Sequence, residues 1–178
     1  MSAVACSWFY CMAADAWEEW SAEVRSRLGS VRPCGTAAEP EWGPTARSIA
    51  GVLAQSLVAR PLFCDLLAHT PLNLERNVSL DTVRAFKLRA IAEVARIGAA
   101  LRTATPLDAD QARSVVVTAT SMAGALWQMA APGTTLRAFY ETDPELCHSV
   151  VEVEPRLTDL VTALLTGYAV ASIRPGGG

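Results

Sequence analysis

Residues 60–101 read RPLFCDLLAHTPLNLERNVSLDTVRAFKLRAIAEVARIGAAL. Pro61 suits the first turn of a helix, where its missing N–H would have no partner anyway. Phe63, Leu66 and Leu67 give the short helix that it opens a single apolar face. Thr70, Pro71 and Asn73 then predict a turn. A second helix start follows at Ser79, whose hydroxyl can accept one of the backbone N–H groups that a first helical turn leaves unpaired. Asp81 places a negative charge at the positive end of the helix dipole, and Val78 and Val83 have the spacing of a hydrophobic staple. Beyond that start, Val83, Phe86, Ala90, Val94, Ile97 and Leu101 recur at three- and four-residue steps, one face of a long α-helix. Arg84, Lys87, Arg89, Glu93 and Arg96 fall at other positions and are expected in water.

Outward from this pair the same period continues. On the N-terminal side, residues 4–28 carry Trp8, Met12, Ala16, Trp20 and Val24 at four-residue steps, with Trp17 adding apolar area to a core. Pro33, Gly35, Pro40 and Gly43 predict a loop over residues 29–44. Pro44 can open the next helix, which runs through Ile49, Val52, Leu53, Leu57 and Val58. On the C-terminal side Thr105 and Pro106 close the long helix, and Asp108 with Gln111 has the form of a capping box. The helix over residues 108–131 shows Met122, Met129, Val115, Val116, Leu126, Ala119, Ala123, Ala130 and Trp127 on one side. Opposite stand Thr118, Thr120, Ser121, Gly124, Ala125 and Gln128. That opposite side is small or weakly polar and carries no charge, so this helix is expected to be covered on both sides. Pro132 and Gly133 end it. Leu136, Phe139 and Tyr140 suggest a helical turn, residues 144–150 another, and a last helix over residues 155–172 has Leu157, Leu160, Val161, Leu164, Leu165 and Tyr168 as its apolar arc, opposite Thr158, Asp159, Thr162 and Thr166. No alternating strand pattern occurs. The expectation is an all-α, single-domain helical bundle over residues 1–172, followed by a disordered glycine-rich tail, residues 173–178.

The run ARPLFCDLLAH, then LNLERNVS and a long helix, resembles the regulatory half of TetR-family transcription regulators. The resemblance extends from about Asp15 to Tyr168 in the order and length of the elements. It implies an effector-sensing, dimerising domain with a small hydrophobic or aromatic ligand between its helices, and a homodimer in which the last two long helices pair with their copies. In a complete regulator residues 4–28 would be the helix connecting to a DNA-binding head. Such a head needs three helices, on the order of 40 residues, which residues 1–12 cannot supply, so direct nucleic-acid binding by this chain is not expected. Phe63, Leu67, Phe86, Met122, Leu126, Trp127 and Met129 are the candidate ligand-binding residues, a soft, aromatic and aliphatic set. For each of them, packing in the core is the competing reading. Ala119, Ala123, Gly124, Leu157, Leu160, Leu164 and Tyr168 are the candidate dimer interface.

Composition narrows the alternatives. Net charge is −3 over 178 residues, with Lys87 the only lysine, so the chain has no cationic field for phosphates. Mean hydropathy is +0.24. The uncharged run at residues 114–136 is long enough to cross a bilayer, but its threonines, Gln128, Pro132 and Gly133 make it too polar, so no membrane partner is expected. The N-terminus lacks the basic region of a signal peptide. Five cysteines without C-x-x-C spacing read as reduced thiols packed as small hydrophobes in a cytoplasmic protein. No GxSxG, P-loop, GxGxxG or HExxH occurs, and Glu145 with His148 is a lone Glu-x-x-His unit without the second copy that a di-iron site needs. His69, near the end of the short helix, reads as a cap or a polar contact. No catalytic residue, metal or cofactor is expected. A small helical enzyme and a dimeric interaction module without a ligand remain as the rival readings.

Overall fold

The start of the long helix is marked as its sequence predicts: the Ser79 hydroxyl accepts from the Thr82 backbone N–H at 3.2 Å, and Asp81 lies in the first turn. In the computed structural model, which describes residues 3–34, 42–70 and 79–173, there are seven α-helices: α1 Ala3–Leu28, α2 Trp42–Val58, α3 Pro61–His69, α4 Leu80–Ala104, α5 Ala109–Ala130, α6 Thr135–Thr142 and α7 Val153–Ile173. A short 3-10 turn, Cys147–Ser149, separates the last two. The described residues contain no strand. The expected staple residue Val78, the turn residues Pro71 and Asn73, most of the Pro/Gly loop, the side chain of Trp8 and residues 174–178 lie outside the described part. Ile173, expected in the tail, is the last helical residue.

The chain punctuates its helices with local hydrogen bonds. The carboxylate of Asp108 accepts from the Gln111 N–H at 2.8 Å, and the Gln111 side chain accepts from the Asp108 N–H at 3.1 Å, a complete capping box. Thr134 caps α6 by accepting from the Arg137 N–H. The end of α5 is less relaxed, because Ala131 takes a left-handed conformation at φ 44° before Gly133 at φ 72°, and a Cβ makes that region costly.

The long helices pack in the order α1, α4, α5, α7, α2 and back to α1, with α2 also touching α5, while short α3 packs on α5 and touches α1 and α2. Trp20, Ile49, Leu53, Ile97, Leu101, Leu157 and Leu165 are fully buried. Removing such side chains from water supplies roughly 1.5–3 kcal/mol each. The predicted stripe of α4 faces inward throughout, with Val83 and Ala90 half-buried at its margin.

Five positions depart from the predicted faces. Glu93, expected in water, is 2 % exposed, and its carboxylate accepts from the guanidinium of exposed Arg96. The arginine's long stem lets its charge reach a carboxylate that the periodicity could not place. On α5, Thr120 and Gly124 are buried, whereas Met129 is 59 % exposed. On α7, Thr158 is buried with the leucines. Threonine tolerates this because its hydroxyl can bond within its own helix, as Thr120 does with the Val116 carbonyl at 3.0 Å. No single helix among the described residues is long and apolar enough to cross a membrane.

Candidate functional site

Where α1, α3, α4 and α5 meet, an aromatic cluster is assembled from positions far apart in the chain. Trp17 stands edge-on to Trp20 at 5.5 Å and to Phe63 at 5.4 Å, and Tyr10 stands edge-on to Phe86 at 5.1 Å. Such geometries favour the positive ring edge over the negative ring face. Trp20 also donates its indole N–H to the Ser56 hydroxyl at 2.9 Å, which satisfies a fully buried donor.

On one side of Phe86 is a cleft of about 180 Å³ whose walls include Trp17, Leu67, Thr70, Ala90, Thr120 and Ser121, with Lys87 at the same opening. On the other side a hollow of about 340 Å³ is bounded by Tyr10, Ala14, Thr82, Ala85 and Arg89. Phe86, 6 % exposed, lines both of them. The two threonines of the smaller cleft direct their hydroxyls into their own helices, Thr70 to the Leu66 carbonyl at 2.5 Å and Thr120 to that of Val116. What they turn to the cleft is therefore largely methyl. Beside the hollow, Arg89 ties α4 to α1 by donating to Glu18 at 2.8 Å and to Asp15 at 3.0 Å. Those two carboxylates raise its already high pKa.

The candidate ligand residues divide. Leu67 and Phe86 line the cleft. Phe63 and Leu126 are core, 2 % and 5 % exposed. Met122 is half-buried and Met129 exposed on the outer side of α5, and Trp127 lines a separate hollow at the α5 C-terminus. Trp17, Ala90, Thr120 and Ser121 were not among the candidates. The bulk of Trp17 was a visible signal, but its partners are long-range, and periodicity carries no information about which helix a tryptophan meets.

The dimer candidates divide in the same way. Ala119, Ala123, Gly124 and Leu157 are buried within the single chain, and Gly124 lies against the backbone of α3. Leu160, Leu164 and Tyr168 are half-buried at the edge of α7. The outward strip of α5 is formed instead by Thr118, Met122, Ala125 and Met129, at helical spacing and without charge, and α7 shows Ala163, Thr166, Gly167 and Val170 outward.

Groups suited to catalysis do not converge here. The His69 ring nitrogen Nδ1 is 2.8 Å from the Asp65 carbonyl oxygen of its own helix, a local contact of the kind its position suggests. Burial, aided by the neighbouring Asp65 charge, pushes the Cys64 thiol up to about 12, which keeps it protonated and a poor nucleophile. Its S–H points to the Leu57 carbonyl at 3.3 Å. Cys11, Cys34, Cys64 and Cys147 are not in disulfides. No group of three or more His, Cys, Asp or Glu side chains among the described residues is arranged to hold a metal ion.

Comparison with curated proteins finds no match. The model of the tetracycline repressor-like C-terminal domain family, by contrast, matches residues 14–172, which takes in nearly the whole helical bundle and every helix that borders the cleft. The all-helical architecture and this match together place the chain in the TetR family of transcription regulators, to whose C-terminal regulatory domain it belongs.

Proposed function

We propose that this chain is the effector-sensing and dimerising part of a cytoplasmic TetR-family regulator, and that its effector is a small hydrophobic or aromatic molecule held at Phe86. The observation that carries the proposal is that Phe86 lines two hollows at the junction of four helices. The smaller hollow lies below the 300–1,000 Å³ usual for ligand sites. Rotation of the Phe86 ring would join it to the larger one. A ligand that replaced the ring would separate α4 from α1, against the Arg89 ties to Asp15 and Glu18. In the family α1 corresponds to the helix leading to the DNA-reading head, so this is the direction in which binding would be coupled to a distant site. Residues 14–172 are occupied by the regulatory domain, and we assign direct duplex binding to none of them.

The charge-free outward strips of α5 and α7 support a homodimer in which these helices meet their copies. Small residues such as Ala125, Ala163 and Gly167 would let the helices approach closely.

Thermal melting against a panel of hydrophobic and aromatic compounds tests the site. A ligand at about one hundred times its Kd stabilises the folded state by roughly 2.7 kcal/mol, or about 5–10 °C for a chain of this size. Ala90→Leu, which fills the cleft from its α4 wall, should abolish that rise and leave the unliganded protein folded. No rise across the panel, with a stable dimer throughout, would favour a ligand-free interaction module. A rise that survives Ala90→Leu would exclude the Phe86 cleft.

A further inference from the structure

A second hollow, remote from Phe86, opens where the end of α5, α6 and the start of α7 converge. Its volume is about 620 Å³, within the range of small-molecule sites. Much of its wall is apolar: Val58, Trp127, Ala130, Pro132, Val151 and Val153. Its charged groups are Arg137, Glu141, Glu152 and Glu154, three carboxylates against one guanidinium. The guanidinium is already engaged by the walls. It donates to Glu141 and Glu152, each at 2.6 Å, and to the Val151 carbonyl at 2.9 Å, and it is 19 % exposed. The four groups carry a net charge of −2 in a wall that also holds Trp127, and Glu154 forms no salt bridge among the described residues.

We propose that this hollow binds a lipophilic organic cation. The chemistry follows from the lining. A hard metal ion would need converging oxygen ligands, and no such group occurs among the described residues. An anion would meet three carboxylates and a guanidinium with its donors already in use. A large monocation with diffuse charge satisfies both parts of the wall: its apolar groups cover Pro132, Val151 and Val153, and its charge is attracted by the carboxylates and by the ring quadrupole of Trp127. The site does not depend on the Phe86 cleft.

Isothermal titration calorimetry of the whole chain with tetraphenylphosphonium, neutral triphenylphosphine oxide and anionic tetraphenylborate tests the assignment. The expected result is one saturable site per chain for the cation, with an affinity at least about tenfold above those of the neutral and anionic compounds at low salt and a lower one at high salt. Glu154→Gln, at a position with no ion pair to lose, should weaken the cation severalfold and leave the neutral compound unchanged. Trp127→Leu should weaken it also, and Ala90→Leu should have no effect. Absence of saturable cation binding, equal affinity for the neutral compound, or unchanged cation affinity in folded Glu154→Gln would overturn the proposal. Loss of binding in Ala90→Leu would overturn it as well, by moving the cation to the Phe86 cleft.

Discussion

A Cβ built on Gly124 would lie 2.9 Å from the backbone nitrogen of Ala68 and 3.3 Å from its Cα. Glycine at this point of α5 is what lets α3 rest against it, and neither helix backbone can yield by rotating a side chain. Gly124→Ala should therefore destabilise the protein by about 1–3 kcal/mol through overpacking, despite alanine's better helix propensity. Gly51 provides the contrast, since nothing lies within 4 Å of its added Cβ. Gly51→Ala should be neutral or stabilising by up to about 1 kcal/mol. Denaturant midpoints of the two variants check the pair, and equal effects would mean that the α3–α5 contact is looser than described.

Trp20 and Ser56 join α1 to α2 inside the core, both fully buried. The serine hydroxyl accepts from the indole and donates onward to the Leu53 carbonyl at 3.0 Å. Ser56→Ala leaves the indole N–H without a partner and without water, and should cost about 1–3 kcal/mol. Trp20→Phe in the Ser56→Ala background removes the orphaned donor, so the double variant should be more stable than the sum of the single losses implies. Additive losses in chemical denaturation would contradict the coupling.

Much of this architecture was legible because it is local. The caps at Ser79 and Asp108, the proline at the start of α3 and the apolar stripe of α4 depend on residues at most a few positions apart, and the structure reproduces them. The faces of α5 were read less well. Its lack of charge beyond Arg113 was plain, but whether Gly124 or Met129 pointed inward depended on where α3 lies, a long-range contact that leaves no trace in a periodic pattern. Glu93 failed for a related reason: a buried carboxylate is unfavourable until Arg96 is seen to reach it. The cleft was half-legible. Leu67 and Phe86 stand on predicted faces, while Trp17 and Ala90 join them only through the packing of α1 on α4.

Cys64 supplies a test in pH. Burial raises its folded-state pKa from an ordinary 9.0 to about 12, so the folded state holds the proton more firmly than the unfolded chain does. The associated stability is complete below about pH 9 and is lost as pH rises from there through 12. Between pH 8 and 10.5 the parent protein should lose stability more steeply than Cys64→Ala, the difference isolating this thiol from other titrating groups. Parallel losses would show that Cys64 is accessible to water. In the same range Cys11 and Cys147, both exposed, should be alkylated readily in the native state, and Cys64 only after unfolding.

Ala125 separates the association of two chains from the folding of one. It lies next to Gly124 in sequence, yet it is exposed on the outward strip of α5 with Thr118, Met122 and Met129, so a charge placed there meets water in an isolated chain. In a dimer built on α5 and α7 the same charge would be buried opposite its symmetry copy, and an unpaired buried charge is costly. Ala125→Glu should therefore shift sedimentation from dimer to monomer while the helical circular dichroism is retained. Ala123→Glu, at a fully buried position, should unfold the chain instead. If Ala125→Glu sediments as the parent protein does, α5 is not at the interface, and the outer face of α7 beyond Asp159, Ala163 and Gly167 included, becomes the surface to charge next.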